Sequence, residues 1–295
     1  VRGTNPKLWN SWKASLFAEF YERARQALRR GLESPIDQEE LVAGTQTEAR
    51  QLLARAGLGG ENVDRVWSRF PDTHFLRHTP EEIALHTQLL AHRDPDDTSV
   101  LVAVRQRSGR GGTAVVTYTP WRRHSFARTT ALLDQMGLNV VDARTMPTED
   151  GFSLDTYHVL EENGAGIVDP ERITDLEEQL TAVLERPDGD AVAVTRRAPR
   201  QVRMFSTATQ INFSDDPVNH RTMLELIAGD RPGLLSEVGK VFMAEHIALH
   251  TSKIVTVGER AEDVFYVTDE QGRPLDQAAR ERLGRRLTDA LDLRP

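Results

Sequence analysis

An α+β protein is predicted, with a helical segment leading into two copies of one ββαββα unit. Apolar residues recur at helical spacing as far as about Arg93, and beyond it the period shortens to that of strands. The order of strands and helices that follows then occurs a second time. At an offset of 109 residues Trp121 falls on Asp230, and Leu138-Asn139-Val140 falls on Ile247-Ala248-Leu249. After a one-residue gap, Asp155-Thr156-Tyr157-His158-Val159 falls on Asp263-Val264-Phe265-Tyr266-Val267, which marks an internal duplication.

The first helix follows the Asn5-Pro6 start, carries Trp9, Trp12, Leu16, Phe20, Ala24 and Leu28 on one face, and stops near Gly31. A second carries Leu41, Leu52, Leu53 and Ala56, and a third Val63, Val66, Trp67 and Phe70. A fourth opens on the capping box Thr79-Pro80-Glu81-Glu82, and Asp94–Asp97 reads as linker. In the first unit, strands at 100–104 and 113–118 flank the hairpin signal Ser108–Gly112. A helix with Phe126, Leu132 and Leu133 precedes strands near 139–146 and 152–160, and a last helix spans 174–184. In the second unit the strands are 209–213, 222–228, 248–256 and 263–268, with helices at 234–244 and 275–291. The expected domains are residues 1–95 (helical), 98–195 and 206–295 (the two units), with a basic linker at 196–205. In this order the leading strand of each unit takes the place that the last strand holds in a ferredoxin-like sheet, as a circular permutation would.

A net charge of −8 argues against a nucleic-acid partner, and the absence of cysteine excludes disulfides and thiolate chemistry. No apolar run is long enough for a membrane helix, and a cytoplasmic location is expected. The chain begins Val1-Arg2-Gly3-Thr4, which reads as a start inside a longer polypeptide. His74, His78, His86 and His92 lack an acidic partner at metalloprotease spacing, so packed or surface histidines are expected and no metal or cofactor. The glycines of Ser108–Gly112 lack the lysine of a phosphate loop.

Asp230-Arg231-Pro232-Gly233-Leu234-Leu235 carries the site chemistry. It places glycine at the mouth of a helix, where backbone N–H groups face a small anion such as an amino-acid carboxylate. Asp230 or nearby carbonyls are the candidate partners for the ammonium. Asn139, Asp142 and Arg144, on the matching strand of the other unit, are candidates for the remaining polar groups of a ligand. The reciprocal site has Trp121, His124 and Ser125 in place of the Pro-Gly step, with Ser252 across from them, and is expected to be altered or lost.

The loop, with Ile247-Ala248-Leu249-His250 and Gly258–Phe265, resembles an ACT domain, the ferredoxin-like module that binds amino acids in many metabolic regulators. Trp9-Asn10-Ser11-Trp12-Lys13, Phe75-Leu76-Arg77-His78-Thr79, Gly111-Gly112-Thr113 and Leu154-Asp155-Thr156-Tyr157 extend the resemblance over nearly the whole chain. They look like the C-terminal part of bacterial bifunctional uridylyltransferase/uridylyl-removing enzymes. That resemblance implies tandem ACT domains that sense glutamine. In such enzymes they regulate a nucleotidyltransferase domain and a metal-dependent HD hydrolase domain, which act on the PII nitrogen-signalling protein. No His-Asp dipeptide occurs here, so the chain is expected to begin after the hydrolase domain and to carry no catalytic site. The competing expectation is a docking or oligomerisation module that contacts PII or the catalytic domains without a ligand.

Overall fold

The computed structural model describes residues 21, 38–94, 96–106, 112–122, 125–186, 207–217, 219–231, 233–254, 256–257 and 260–292. All of the expected first helix except Tyr21, and the basic stretch Arg196–Arg203, lie outside these residues. The helical segment comprises α1 (Gln38–Arg55), α2 (Glu61–Trp67), α3 (Asp72–Arg77) and α4 (Pro80–Ala91). The expected third helix, with Val63, Val66 and Trp67, is α2 and stops before Phe70, and α3 follows as an additional short helix with Pro71, which lacks an N–H, as its N-cap. At α4 the capping box forms. Thr79 Oγ1 accepts the Glu82 N–H at 3.3 Å, and the Glu82 carboxylate accepts the Thr79 N–H at 2.8 Å.

The first unit runs β1 (Leu101–Arg105), β2 (Thr113–Pro120), α5 (Ser125–Gln135), β3 (Asn139–Pro147), β4 (Phe152–Leu160) and α6 (Pro170–Glu185). The second runs β5 (Gln210–Asp216), β6 (Arg221–Gly229), α7 (Leu234–Ala244), β7 (Ala248–Lys253), a short β8 (Thr256–Val257), β9 (Arg260–Thr268) and α8 (Gln277–Asp292). α6 starts four residues before the first expected position, since Asp169 caps it through the Glu171 N–H and Pro170 occupies the first turn.

Both units join one antiparallel sheet in the order β1-β2-β4-β3-β7-β9-β6-β5, with β8 paired to β9. In each unit the leading strand lies beside the second, as the permuted order requires. Helices α5 to α8 cover one face over a continuous core that includes Leu133, Tyr157, Leu180, Leu224, Phe265 and Leu287. The helical segment covers the other face of the first unit, where Val116, Tyr118, Met146 and Leu154 pack against Leu53, Ile83 and Leu90. Hence β4 is buried almost throughout, whereas β6 and β9 alternate along their length. Among the described residues no helix is long and apolar enough to cross a membrane.

Candidate functional site

The units meet where β3 pairs with β7, through Ala143↔Ser252 and Arg144↔Thr251. Ala143 and Ser252 are equivalent residues, 109 apart, so the seam lies on a pseudo-two-fold axis. The Ser252 hydroxyl donates to the Ala143 carbonyl at 3.2 Å. At the first mouth Trp121, Ser125 and Phe126 share a cleft with Ile247-Ala248-Leu249 of the other unit, and the 109-residue offset relates these to the Asp230–Leu235 loop and to Leu138-Asn139-Val140.

At the second of these mouths Gly233 is the N-cap of α7, with φ 82°, a left-handed conformation that a β-branched residue avoids. It brings no side chain to the helix end, so the first turn is left without a side-chain cap. Asp230 is partly buried, and burial raises its carboxyl above the ordinary value, countered by the Arg231 N–H. Arg231 reaches the Ala290 carbonyl at the end of α8, at 3.4 Å. Leu234 is buried, Leu235 packs against the core, and Pro232 lies outside the described residues.

The first mouth forms a small cleft of about 50 Å³, lined by Trp121, Ser125 and Asp155 of one unit and by His246, Ala248 and Glu270 of the other. Trp121 stands at its rim, 48% exposed. Asp155, which in the sequence aligns the repeats and carries part of the family resemblance, is the main chemical feature of this cleft. It is buried, accepts from Ser153 Oγ at 2.5 Å and Tyr157 Oη at 3.4 Å, and burial pushes its pKa up to about 7. An acid in the middle of both D-x-aromatic-x-V strands was the available signal. His124 lies outside the described residues.

Asn139 is exposed at the start of β3, in the place that Ala248 takes at the first cleft. The bulge between Val140 and Asp142 keeps Asn139, Asp142 and Arg144, paired with Leu160, His158 and Thr156, on one face of the sheet, and Asp142 and Arg144 face the helical segment there. Arg144 pairs there with Asp142 at 2.5 Å and with Glu82 at 3.1 Å, while His158 lies 3.3 Å from Glu82 and 3.6 Å from Asp142. This buried group fastens α4 to the sheet, so Glu82 both caps its helix and docks it.

Residues 37–89 match the family model described as the uridylyltransferase GlnD fifth domain. A bifunctional uridylyltransferase/uridylyl-removing enzyme from Pseudomonas syringae pv. syringae is 43% identical over 295 residues, covering 99% of this chain and 32% of the relative. The enzyme of the same name from Methylococcus capsulatus is 45% identical over 279 residues, 95% of this chain and 32% of the relative. That from Pseudomonas fluorescens is 42% identical over 99% of this chain and 32% of its own length. The chain is thus a partial counterpart of the bifunctional uridylyltransferase/uridylyl-removing enzymes, related along nearly all of its own sequence to about a third of theirs.

Proposed function

We propose that this chain is the glutamine-sensing regulatory part, a tandem ACT pair, of a cytoplasmic enzyme that adds uridylyl groups to the PII protein and removes them. The observation that carries the reading is the two-fold seam. At the first mouth it sets α5's entry against a strand of the other unit, and by the same repeat a ligand at the α7 mouth touches both units and reports on their placement. The proposed contacts are the α7 N-terminal N–H groups at Gly233–Leu235 for the carboxylate, Asp230 for the ammonium and the start of β3 at Asn139, through its backbone, for the side-chain amide. Asp142 and Arg144 belong to the docking of α4 and act on this site only through β3. A metabolite sensor works near millimolar ligand, roughly −4 kcal/mol, and a coupling of about 1–3 kcal/mol between two arrangements suffices to switch an attached enzyme.

Calorimetry with glutamine and with other amino acids tests the reading directly. A glutamine-selective signal at millimolar concentration is expected, and Gly233→Val should abolish it while circular dichroism shows a folded chain. Silence of the folded wild-type chain at ten-millimolar-scale ligand would remove the proposal.

A further inference from the structure

Three imidazoles converge in the helical segment, away from the seam. His74 lies on α3, His78 is the C-cap of α3 and His86 lies on α4, with exposures of 0%, 6% and 0%. Their ring centroids are 4.5 Å (His74–His78), 5.0 Å (His78–His86) and 5.3 Å (His74–His86) apart. One nitrogen from each ring lies within 4.8 Å of the other two. Three imidazoles on one tetrahedral ion, at nitrogen–metal distances of about 2.0–2.1 Å, place ring centres ~5 Å apart and nitrogens ~3.4 Å apart. The backbone therefore already sets a metal-like ring spacing, and side-chain rotation alone has to bring the nitrogens inward.

Hydrogen bonding points the same way. Both ring nitrogens of His74 and Nδ1 of His86 are buried without a hydrogen-bond partner. A neutral imidazole always presents one donor and one acceptor, so burying His74 in this state is costly. His78 Nδ1 lies 3.0 Å from the His74 carbonyl, and His86 Nε2 lies 3.0 Å from Thr156 Oγ1 of β4. Bonds of this kind fix the tautomer and orientation of metal-ligating histidines. Simple aromatic packing accounts for the contact of His74 with Phe70, at 4.3 Å, but leaves the His74 N–H without an acceptor.

We propose that His74, His78 and His86 bind one divalent ion of the zinc class, which clamps α3 to α4 over strand β4. All-imidazole ligation favours Zn²⁺ and its nitrogen-seeking neighbours Ni²⁺ and Cu²⁺ over Mg²⁺ or Ca²⁺. His78 also lines a cleft of about 450 Å³ with Arg77, Arg144 and His250, from which water can supply a fourth ligand.

The test uses the tag-free 295-residue chain, stripped with chelator and titrated with Zn²⁺ by calorimetry, and with Co²⁺ as a spectroscopic probe. One ion per chain, the visible bands of four-coordinate Co²⁺ and a higher thermal midpoint are expected. His74→Phe, which keeps the aromatic packing, and His86→Asn should each weaken binding by about 100-fold or more, while His92→Asn leaves it unchanged. Lack of stoichiometric binding by the folded wild-type chain would overturn the site, as would undiminished binding in the His74→Phe and His86→Asn variants. Should a variant fail to fold, wild-type stoichiometry and the Co²⁺ spectrum decide the matter.

Discussion

Gly137 and His246 occupy the same position in the two units, one residue past the C-caps of α5 and α7, and both are left-handed, with φ of 77° and 57°. Each turn is closed alike: the Leu138 N–H bonds the Leu133 carbonyl at 2.9 Å, and the Ile247 N–H bonds that of Phe242 at 2.8 Å. Glycine takes this conformation freely, whereas a residue with a Cβ loses roughly 1–2 kcal/mol. The exposed pairing of His246 Nδ1 with Glu270, at 2.6 Å, is of a kind that contributes little. Strain held in this way directs the imidazole into the lining of the Trp121 cleft. His246→Gly should therefore stabilise the chain by about 1 kcal/mol in urea unfolding, and a loss of stability would show that the histidine is not strained. The sequence shows a glycine replaced by histidine at this offset. That the histidine keeps a positive φ and lines a cleft depends on the turn and on the second unit, which a single chain of letters does not display.

At the scale of elements, α5 and α7 pack across the two-fold through Gly239. A Cβ added there would lie 2.8 Å from the Ala127 Cβ and 2.9 Å from its Cα. Alanine gains ~1 kcal/mol of helix propensity over glycine, but a backbone contact this short outweighs it. Gly239→Leu should cost about 1–3 kcal/mol and also weaken any amino-acid response, because it separates the helices that carry the two mouths. Thermal unfolding and ligand calorimetry on the same variant check both parts. Elements with strong periodicity were legible in the sequence: β4 matches its expected range, and α7 begins and ends where Gly233 and the Ala244 turn place it. The short α3 was hidden because six residues after a proline carry no period. The direction of Asp142 and Arg144 was hidden for another reason. Strand alternation gives direction only up to a bulge, and β3 and β7 each contain one, at equivalent places.

For the molecule as a whole, buried ionisable groups set opposing responses to pH. Burial lowers His74 well below its usual pKa and holds His86 and His250 at about 4, so the folded chain binds fewer protons there than the unfolded chain below pH 6.5. Their contribution to stability is present above pH 6.5 and is lost as pH falls toward 4. Asp155, pushed up to about 7, acts in the other sense: the folded chain keeps its proton, and stability falls as pH rises from about 4 through 7. Three histidines outweigh one acid in the shared range, so stability of the metal-free chain should peak near pH 6.5. Asp155→Asn should remove the decline on the alkaline side, which urea midpoints between pH 4 and 8 will show.

The pairing of Ala143 with Ser252 gives the two-unit sheet, within one polypeptide, the two-fold arrangement a homodimer would have. In a true homodimer both helix mouths come from the same gene segment, and any substitution appears in both at once. Once the halves are joined end to end, one mouth can keep its glycine while the other acquires Trp121, without disturbing the seam that relates them. Joining the units in one chain thus releases the pair from enforced equality, so the two mouths can diverge independently.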